Sequence, residues 1–454
     1  MNSFEDRKKL IYQLDGRPPF FVAFPLGLQH VLAMFTSNLV PCFIVAGVVG
    51  LAGADRILMV QCAMFVSGLT TFFQLYPIPV FGKKSKLPRI GAELPIVMGT
   101  SFAFVPTSIT VARAFGLPGV LGGALFGSLI EFVMGFFIKP LKKFFPPLVI
   151  GAVLISIGIN LLGAGTNYFL GGAGAADFGS TQNIILGFIV FLTIIICQRF
   201  GKGIFRVSSL LVGIIVGYAA AFFLGRLDFA LVRDAAWFSI PMPLRFGYEF
   251  HASAVLSFAA IYIVSGLETI GNTSGITVAA FDREATAREM SGAIMADSFG
   301  SMLASIFNTL PNTAFGQNAG LVAMTKVVNR FCVATGAATL MLAGFIPKIG
   351  AIFLMMPDSV LGGAIISVFA MIMINGIKLI AKSGFSHRNV IVLSVIFAMG
   401  LGLANAPDTA YEHLPGFFRY LFADSVAAVC IIGIILNIIF PAGEGDAPAV
   451  IEVD

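Results

Sequence analysis

Apolar positions in this chain run in blocks of about 20 residues with scarcely a charge inside them, and short polar stretches separate one block from the next. A helix of that length crosses the roughly 30 Å of a bilayer's hydrocarbon, and a surface that is apolar on every side suits lipid rather than water. The blocks predict spans at 21–49, 57–81, 96–115, 118–138, 146–163, 181–199, 207–225, 251–275, 286–309, 311–329, 331–354, 357–381, 388–404 and 421–441, fourteen in all. The expected fold class is an all-α integral membrane protein embedded in a lipid bilayer.

Composition and charge sharpen this picture. Of the 454 residues, 57% are hydrophobic and only 11% charged, with a mean hydropathy of +0.94, which excludes a soluble globular domain. The net charge of +5 would suit nucleic acid or anionic lipid, but its distribution follows topology instead. With the amino terminus inside, 21 of the 28 Lys and Arg fall on the inner side, and Arg56, Arg113, Arg226, Arg233, Arg245, Lys348 and Arg419 remain outside. That is the asymmetry of the positive-inside rule; it predicts two cytoplasmic termini and no nucleic-acid partner. The charged stretch from Met1 to Arg17 and the run after it lack a small-residue cleavage pattern, so no signal peptide is expected. The five cysteines, Cys42, Cys62, Cys197, Cys332 and Cys430, show no CxxC or metal-ligand spacing and read as small buried hydrophobes. No metal and no cofactor is expected. The Gly-rich loop Gly163 to Ser180 lacks GxxxxGK[ST] and reads as a flexible outer loop, and the Asn272-Thr273-Ser274 sequon lies inside a span.

The two halves of the chain repeat each other. Gly27-Leu28-Gln29-His30 in the first span matches Gly266-Leu267-Glu268-Thr269 in the eighth. Gly99-Thr100-Ser101, followed by Arg113, matches Gly316-Gln317-Asn318, followed by Arg330, at an offset of 217 residues. Seven spans is an odd number, so the second copy must lie inverted in the membrane. Spans 3 and 10 are both interrupted by Gly, Pro and small polar residues, which predicts a short strand leading into a half-helix in each. Broken spans are tolerated where their backbone lines a cavity, and a matched pair of them points to a substrate site near the midplane.

Few polar groups lie within the spans. Intramembrane carboxylates are functional candidates by default, and Glu268, as the repeat partner of Gln29 opposite broken span 10, is the foremost. Asp297 is either a proton site or an acceptor for the backbone of span 10. His30 reads first as a core histidine with its hydrogen bonds met. Glu131 in span 4 has no counterpart in the other half and is assigned a structural role. Gln317 and Asn318 suit a planar molecule with donors and acceptors on its edge, although amides also join helices in membranes. Phe102, directly after Ser101, is placed to stack on a flat ligand.

The run Gln317-Asn318-Ala319-Gly320-Leu321-Val322-Ala323-Met324-Thr325-Lys326 meets every position of Q/E/P-N-x-G-x-x-x-x-T-R/K/G. In this motif the chain resembles the nucleobase-ascorbate transporter family, also called nucleobase:cation symporter 2. Gly27-Leu28-Gln29-His30, Thr100-Ser101-Phe102, Glu268-Thr269-Ile270-Gly271 and Ala296-Asp297 resemble its other motifs. The resemblance implies a 7+7 inverted repeat with core-domain parts at 21–138 and 251–354 and gate-domain parts at 146–225 and 357–441. It also implies a homodimer moving by an elevator-like mechanism. Substrate would be held by Glu268, Gln317, Phe102, Ser101 and Gly316, with Asp297, Asn318, His30, Gln29, Thr100 and Asn272 supporting the site or coupling. Gln317 resembles the xanthine and uric acid branch; uracil transporters tend to carry Glu there. Asn272 departs from the pattern, because many oxopurine members carry Asp at this place and Asn does not titrate.

The expected function is import of an oxopurine, xanthine or uric acid, by proton symport across the cell (inner) membrane. The alternatives are a transporter of uracil or another purine, and an anion exchanger of the sulfate-permease type, against which the Glu268 carboxylate counts. An enzyme is not expected, because the chain has no HExxH, no GxSxG and no Cys/His set.

Overall fold

The computed structural model describes residues 7–80, 89–137, 146–402, 413 and 424–441. Fourteen labelled helices follow in chain order: α1 (Phe20–Val48), α2 (Gly53–Leu75), α3 (Val105–Met134), α4 (Pro147–Phe169), α5 (Thr181–Phe200), α6 (Ser209–Phe223), α7 (Ala252–Phe281), α8 (Ala287–Ile306), α9 (Gln317–Thr325), α10 (Arg330–Ala343), α11 (Pro347–Leu354), α12 (Asp358–Ser383), α13 (His387–Val395) and α14 (Ser425–Ile439). Four short strands accompany them: β1 (Ile78–Pro79), β2 (Arg89–Ile90), β3 (Met98–Thr100) and β4 (Asn312–Ala314).

Among the described residues, seven helices are long and apolar enough to cross a membrane, and α10 with α11, bent by 79°, makes an eighth if the pair is one span. The remaining blocks of the sequence take other forms for local reasons. The runs at 96–115 and 118–138 join in α3, broken at Gly116 (φ 67°, ψ −173°), a backbone shape that glycine adopts freely and other residues rarely do. Helix α8 is less apolar because it turns Ser291, Asp297, Ser298, Ser301 and Ser305 into the protein, all buried. Helix α13 runs on into a π-helical stretch, Ile396–Gly402. The predicted fourth span ends at 138 and the fourteenth begins at 421, both outside the described residues.

Helices α1, α2, α3, α7, α8 and α10 pack mainly on one another, and α4, α5, α6, α12 and α14 form a second group. Small residues allow α4 and α12 to cross closely. A Cβ at Gly151 would lie 2.7 Å from the Gly376 carbonyl oxygen, and one at Gly376 would lie 2.5 Å from that of Gly151. In lipid, where water drives no association, such close backbone approach is a main source of helix affinity. The outer surface keeps Phe188, Leu192, Ile196 and Phe222 exposed, as a face in contact with hydrocarbon tails requires.

Strands β3 and β4 pair antiparallel deep in the first group, with Met98 opposite Ala314, Gly99 opposite Thr313 and Thr100 opposite Asn312. Two such short strands satisfy few of each other's backbone groups, so side chains and flanking backbone supply the rest. Asn38 Oδ1 accepts from the Thr100 amide (2.7 Å), and Thr71 Oγ1 from the Met98 amide (3.0 Å). Ser301 Oγ accepts from the Asn312 amide (3.1 Å) and donates to its carbonyl (3.0 Å). The Ser101 amide reaches the Pro311 carbonyl, and the Phe315 amide that of Val97, each at 2.9 Å. The strand pair is thereby fixed to α1, α2 and α8.

Candidate functional site

The strands end where helices begin. After β3 the chain makes a single 3-10 turn, Phe102–Phe104, capped by Ser101 Oγ on the Ala103 amide at 3.2 Å, and continues as α3. After β4 come Phe315 and Gly316, and α9 starts at Gln317. Both helical starts open on one cavity of about 420 Å³ between the two helix groups. Thr100, Ser101, Phe102, Thr313, Gly316 and Gln317 line it from the strand pair and its ends, Glu268 and Asn272 from α7, Leu154 and Ile157 from α4, and Val368, Met371, Asn375 and Lys378 from α12. A helix start presents free N–H groups and partial positive charge, so α9 aims electron-attracting donors at whatever fills the space.

The polar side chains of the cavity fall into two kinds. Asn272 is committed: its Nδ2 donates to the Ala314 carbonyl at 2.8 Å. The carboxamide also lies against Gly316, where a Cβ would meet Asn272 Oδ1 at 2.5 Å. Glycine at 316 is therefore a requirement of packing as well as a piece of cavity wall. Glu268, Gln317, Asn375 and Lys378 make no side-chain hydrogen bond or ion pair within the described residues. They are free to engage a ligand with a carboxylate acceptor, an amide that both donates and accepts, and an ammonium donor. Phe102, 8% exposed, closes one wall and packs edge-on against Phe369 at 5.7 Å.

Seven of the eleven site residues expected from sequence thus border one cavity: Glu268, Gln317, Phe102, Ser101, Gly316, Thr100 and Asn272. Four do not. Asp297 lies fully buried behind the wall, where its Oδ2 accepts from Thr269 Oγ1 and, at 3.3 Å, from Thr313 Oγ1. It thereby ties α8 to α7 and β4. Asn318 does not line the space, and among the described residues neither atom of its side-chain carboxamide has a hydrogen-bond partner. His30 is buried in α1 with Nδ1 unpartnered among the described residues, and Gln29 beside it is half-buried. The reading of His30 as a histidine with its hydrogen bonds met is therefore incomplete. The repeat matched by sequence is also out of step with the strands, since Thr100 ends β3 whereas its matched residue Gln317 starts α9, three residues after β4 ends.

Asn375 and Lys378 were not expected at the site, because Lys378 reads from sequence as one more inner-side cation. Their spacing of three residues, which puts both on one helix face in an otherwise apolar run, is the signal that marks them. Among the described residues no group of three or more His, Cys, Asp or Glu side chains gathers to hold a metal, and the five cysteines are free.

Comparison with known proteins identifies the family. The model of the Permease family matches residues 22–409. The nucleobase transporter PlUacP of Paenibacillus larvae subsp. larvae is 34% identical, over 92% of this chain and 94% of its own. The xanthine permease of Bacillus subtilis strain 168 is 33% identical, over 91% of this chain and 93% of its own. Among solved structures, the transmembrane domain of the cyanobacterial bicarbonate transporter BicA superposes with a TM-score of 0.56, covering 91% of this chain and 98% of that one, at 15% identity. That last likeness is one of fold and says nothing of cargo. The chain is a multi-pass membrane transporter and no enzyme, and it belongs to the Permease family, the nucleobase-ascorbate transporter (nucleobase:cation symporter 2) family that its motifs resemble.

Proposed function

We propose that the protein imports an oxopurine, xanthine or uric acid, across the cell (inner) membrane by proton symport. The observation that carries this reading is the meeting of an uncommitted carboxylate, Glu268, and an uncommitted carboxamide, Gln317, in one cavity. An oxopurine edge alternates N–H donors with carbonyl acceptors. A carboxylate accepts only and a carboxamide does both, so together they complement such an edge. Phe102 offers an aromatic face and edge to the flat ring system. Glu268, Gln317, Phe102, Ser101 and Gly316 are the substrate set in this proposal. Thr100 and Asn272 hold the cavity wall, and Asp297, Asn318, His30 and Gln29 support it from behind.

The same reading takes the described helices as parts of fourteen spans in a 7+7 inverted repeat, with both termini cytoplasmic. Residues 21–138 and 251–354 form a core domain that carries the strand pair, and 146–225 and 357–441 form a gate domain. The cavity between the two helix groups supports an elevator-like motion of one against the other, in a homodimer. A small inorganic anion as cargo is disfavoured, because the Glu268 carboxylate would repel it and it has no ring N–H donor to offer in return. Uracil is disfavoured by Gln317 in place of Glu.

Competition by xanthine, uric acid, guanine, hypoxanthine and uracil against labelled xanthine in proteoliposomes tests the substrate class. Xanthine and uric acid are expected to compete best. Preference for uracil, or unchanged uptake of both oxopurines by Gln317→Ala at matched expression, overturns the assignment. Uptake indifferent to an imposed pH gradient removes proton symport.

A further inference from the structure

Behind the cavity wall two buried acids meet. Glu131 on α3 and Asp297 on α8 are both fully buried, where α3 crosses α8 through Ser298 Oγ on the Ser128 carbonyl at 2.8 Å, and Asp297 is the charged neighbour that acts on Glu131. Their oxygens leave a specific deficit. Asp297 Oδ2 accepts from Thr269 and Thr313, whereas Asp297 Oδ1 and both oxygens of Glu131 have no donor among the described residues. From α7, Tyr262 faces Glu131 and Asp297, with Ser128 of α3 and Ser301 of α8 beside its hydroxyl, and Glu268 acts on Asp297. No Lys, Arg or His is among the described groups acting on the pair. Two adjacent carboxylates without a cation cannot both stay ionised in such a place. One proton between Asp297 Oδ1 and Glu131 supplies the missing donor and removes one of the two charges.

We propose that Glu131 and Asp297 hold one shared proton and that Glu131 is a second coupling carboxylate, set outside the substrate cavity. The pair is wired to the cavity by short links. Thr269, which follows Glu268 in the chain, and Thr313, in the cavity wall, both donate to Asp297. A second proton loaded onto the pair neutralises it behind the wall that Glu268 and Thr313 form, and release of that proton to the cytoplasmic side restores the singly protonated pair. Asn272 leaves the α7 face of the cavity one titrating group short, and Glu131 restores the count from α3. This inference rests on proton symport as proposed above and adds the residue that carries the proton.

The test uses the full chain in proteoliposomes with labelled xanthine. Glu131→Gln is expected to keep exchange of labelled for unlabelled substrate at equal pH within about twofold, and to lose accumulation driven by a pH gradient by at least about tenfold. Gradient-driven accumulation equal to wild type overturns the inference, and so does a parallel loss of exchange, which is what a purely structural residue would give. Should Glu131→Gln fail to fold, Glu131→Asp keeps the acid on a shorter arm. Its accumulation is expected to follow a shifted pH profile with exchange intact, and an unshifted profile overturns the inference. A wild-type protein that ignores the pH gradient, or follows sodium instead, sinks the symport reading itself. A wild type and Glu131→Gln that both follow the pH gradient sink only this one.

Discussion

Gly316→Ala tests whether the junction of β4 and α9 sets the geometry of transport. The added methyl would lie 2.5 Å from Asn272 Oδ1, 3.2 Å from Cγ and 3.6 Å from Nδ2. Carbon and oxygen rest at roughly 3.5 Å, so the carboxamide has to withdraw by about 1 Å. Withdrawal breaks or stretches the 2.8 Å hydrogen bond from Nδ2 to the Ala314 carbonyl, at a cost of about 1–3 kcal/mol if that buried acceptor is left unpaired. The alternative is a shift of α9, which moves Gln317 by a similar amount, and misplacement of a binding group by about 1 Å reduces rates by up to about a hundredfold. Initial-rate uptake of labelled xanthine at matched membrane expression is therefore expected to fall by about 10- to 100-fold in kcat/KM. Asn272→Gly combined with Gly316→Ala removes the obstacle, and the double variant is expected to transport better than Gly316→Ala alone. The coupling between the two sites should exceed about 1 kcal/mol. Wild-type uptake by Gly316→Ala, or losses that simply add in the double variant, would show that the contact does not govern the site.

Three further outcomes follow from the geometry. Lys378→Met removes the cation of the α12 wall and is expected to slow uptake of urate, an anion at neutral pH, several-fold more than that of neutral xanthine, by about 3- to 10-fold at low salt with the gap closing as ionic strength rises; equal changes for both substrates would count against a role for its charge. Asn38→Ala strips the acceptor from two buried donors, the Thr100 amide at 2.7 Å and Ser67 Oγ at 2.8 Å, and is expected to lower stability by about 2–4 kcal/mol, seen as a lower Tm in detergent. In the loop that follows α4, Arg226 holds the Asp177 carboxyl below its ordinary value of 3.8, so the stabilisation is complete above that value and is lost as pH falls through the lowered one. Hydrogen exchange of residues 171–180, corrected for intrinsic rates, should lose protection only on that acid side, and Arg226→Ala should abolish the pH dependence.

How much of this was legible in the sequence depends on whether a residue's role is local or relational. The apolar blocks declare themselves because every residue of a membrane helix must suit the same solvent, and Gly99, Pro311 and Gly316 mark broken spans because they interrupt that uniformity. Glu268 and Gln317 stand out for the same reason. Partners are another matter. Nothing near Glu131 in the chain points to Asp297, since the two meet only because α3 crosses α8, and the crossing is fixed by contacts such as Ser298 Oγ on the Ser128 carbonyl at 2.8 Å. Lys378 is similar: its place near a helix end suits an inner-surface cation, and only the packing of α12 on α4 turns it into the cavity. Asn318 shows the converse, because its place in the motif marks it as important while its buried amide faces no ligand space. In hydrocarbon a polar residue announces that it needs a partner, through the expense of leaving it unpaired. Which partner it finds is decided by helices far apart in the chain. A motif therefore locates a membrane site more surely than it assigns the parts within it, and the unpaired oxygens of Glu131 and Asp297 are where those assignments are most open to experiment.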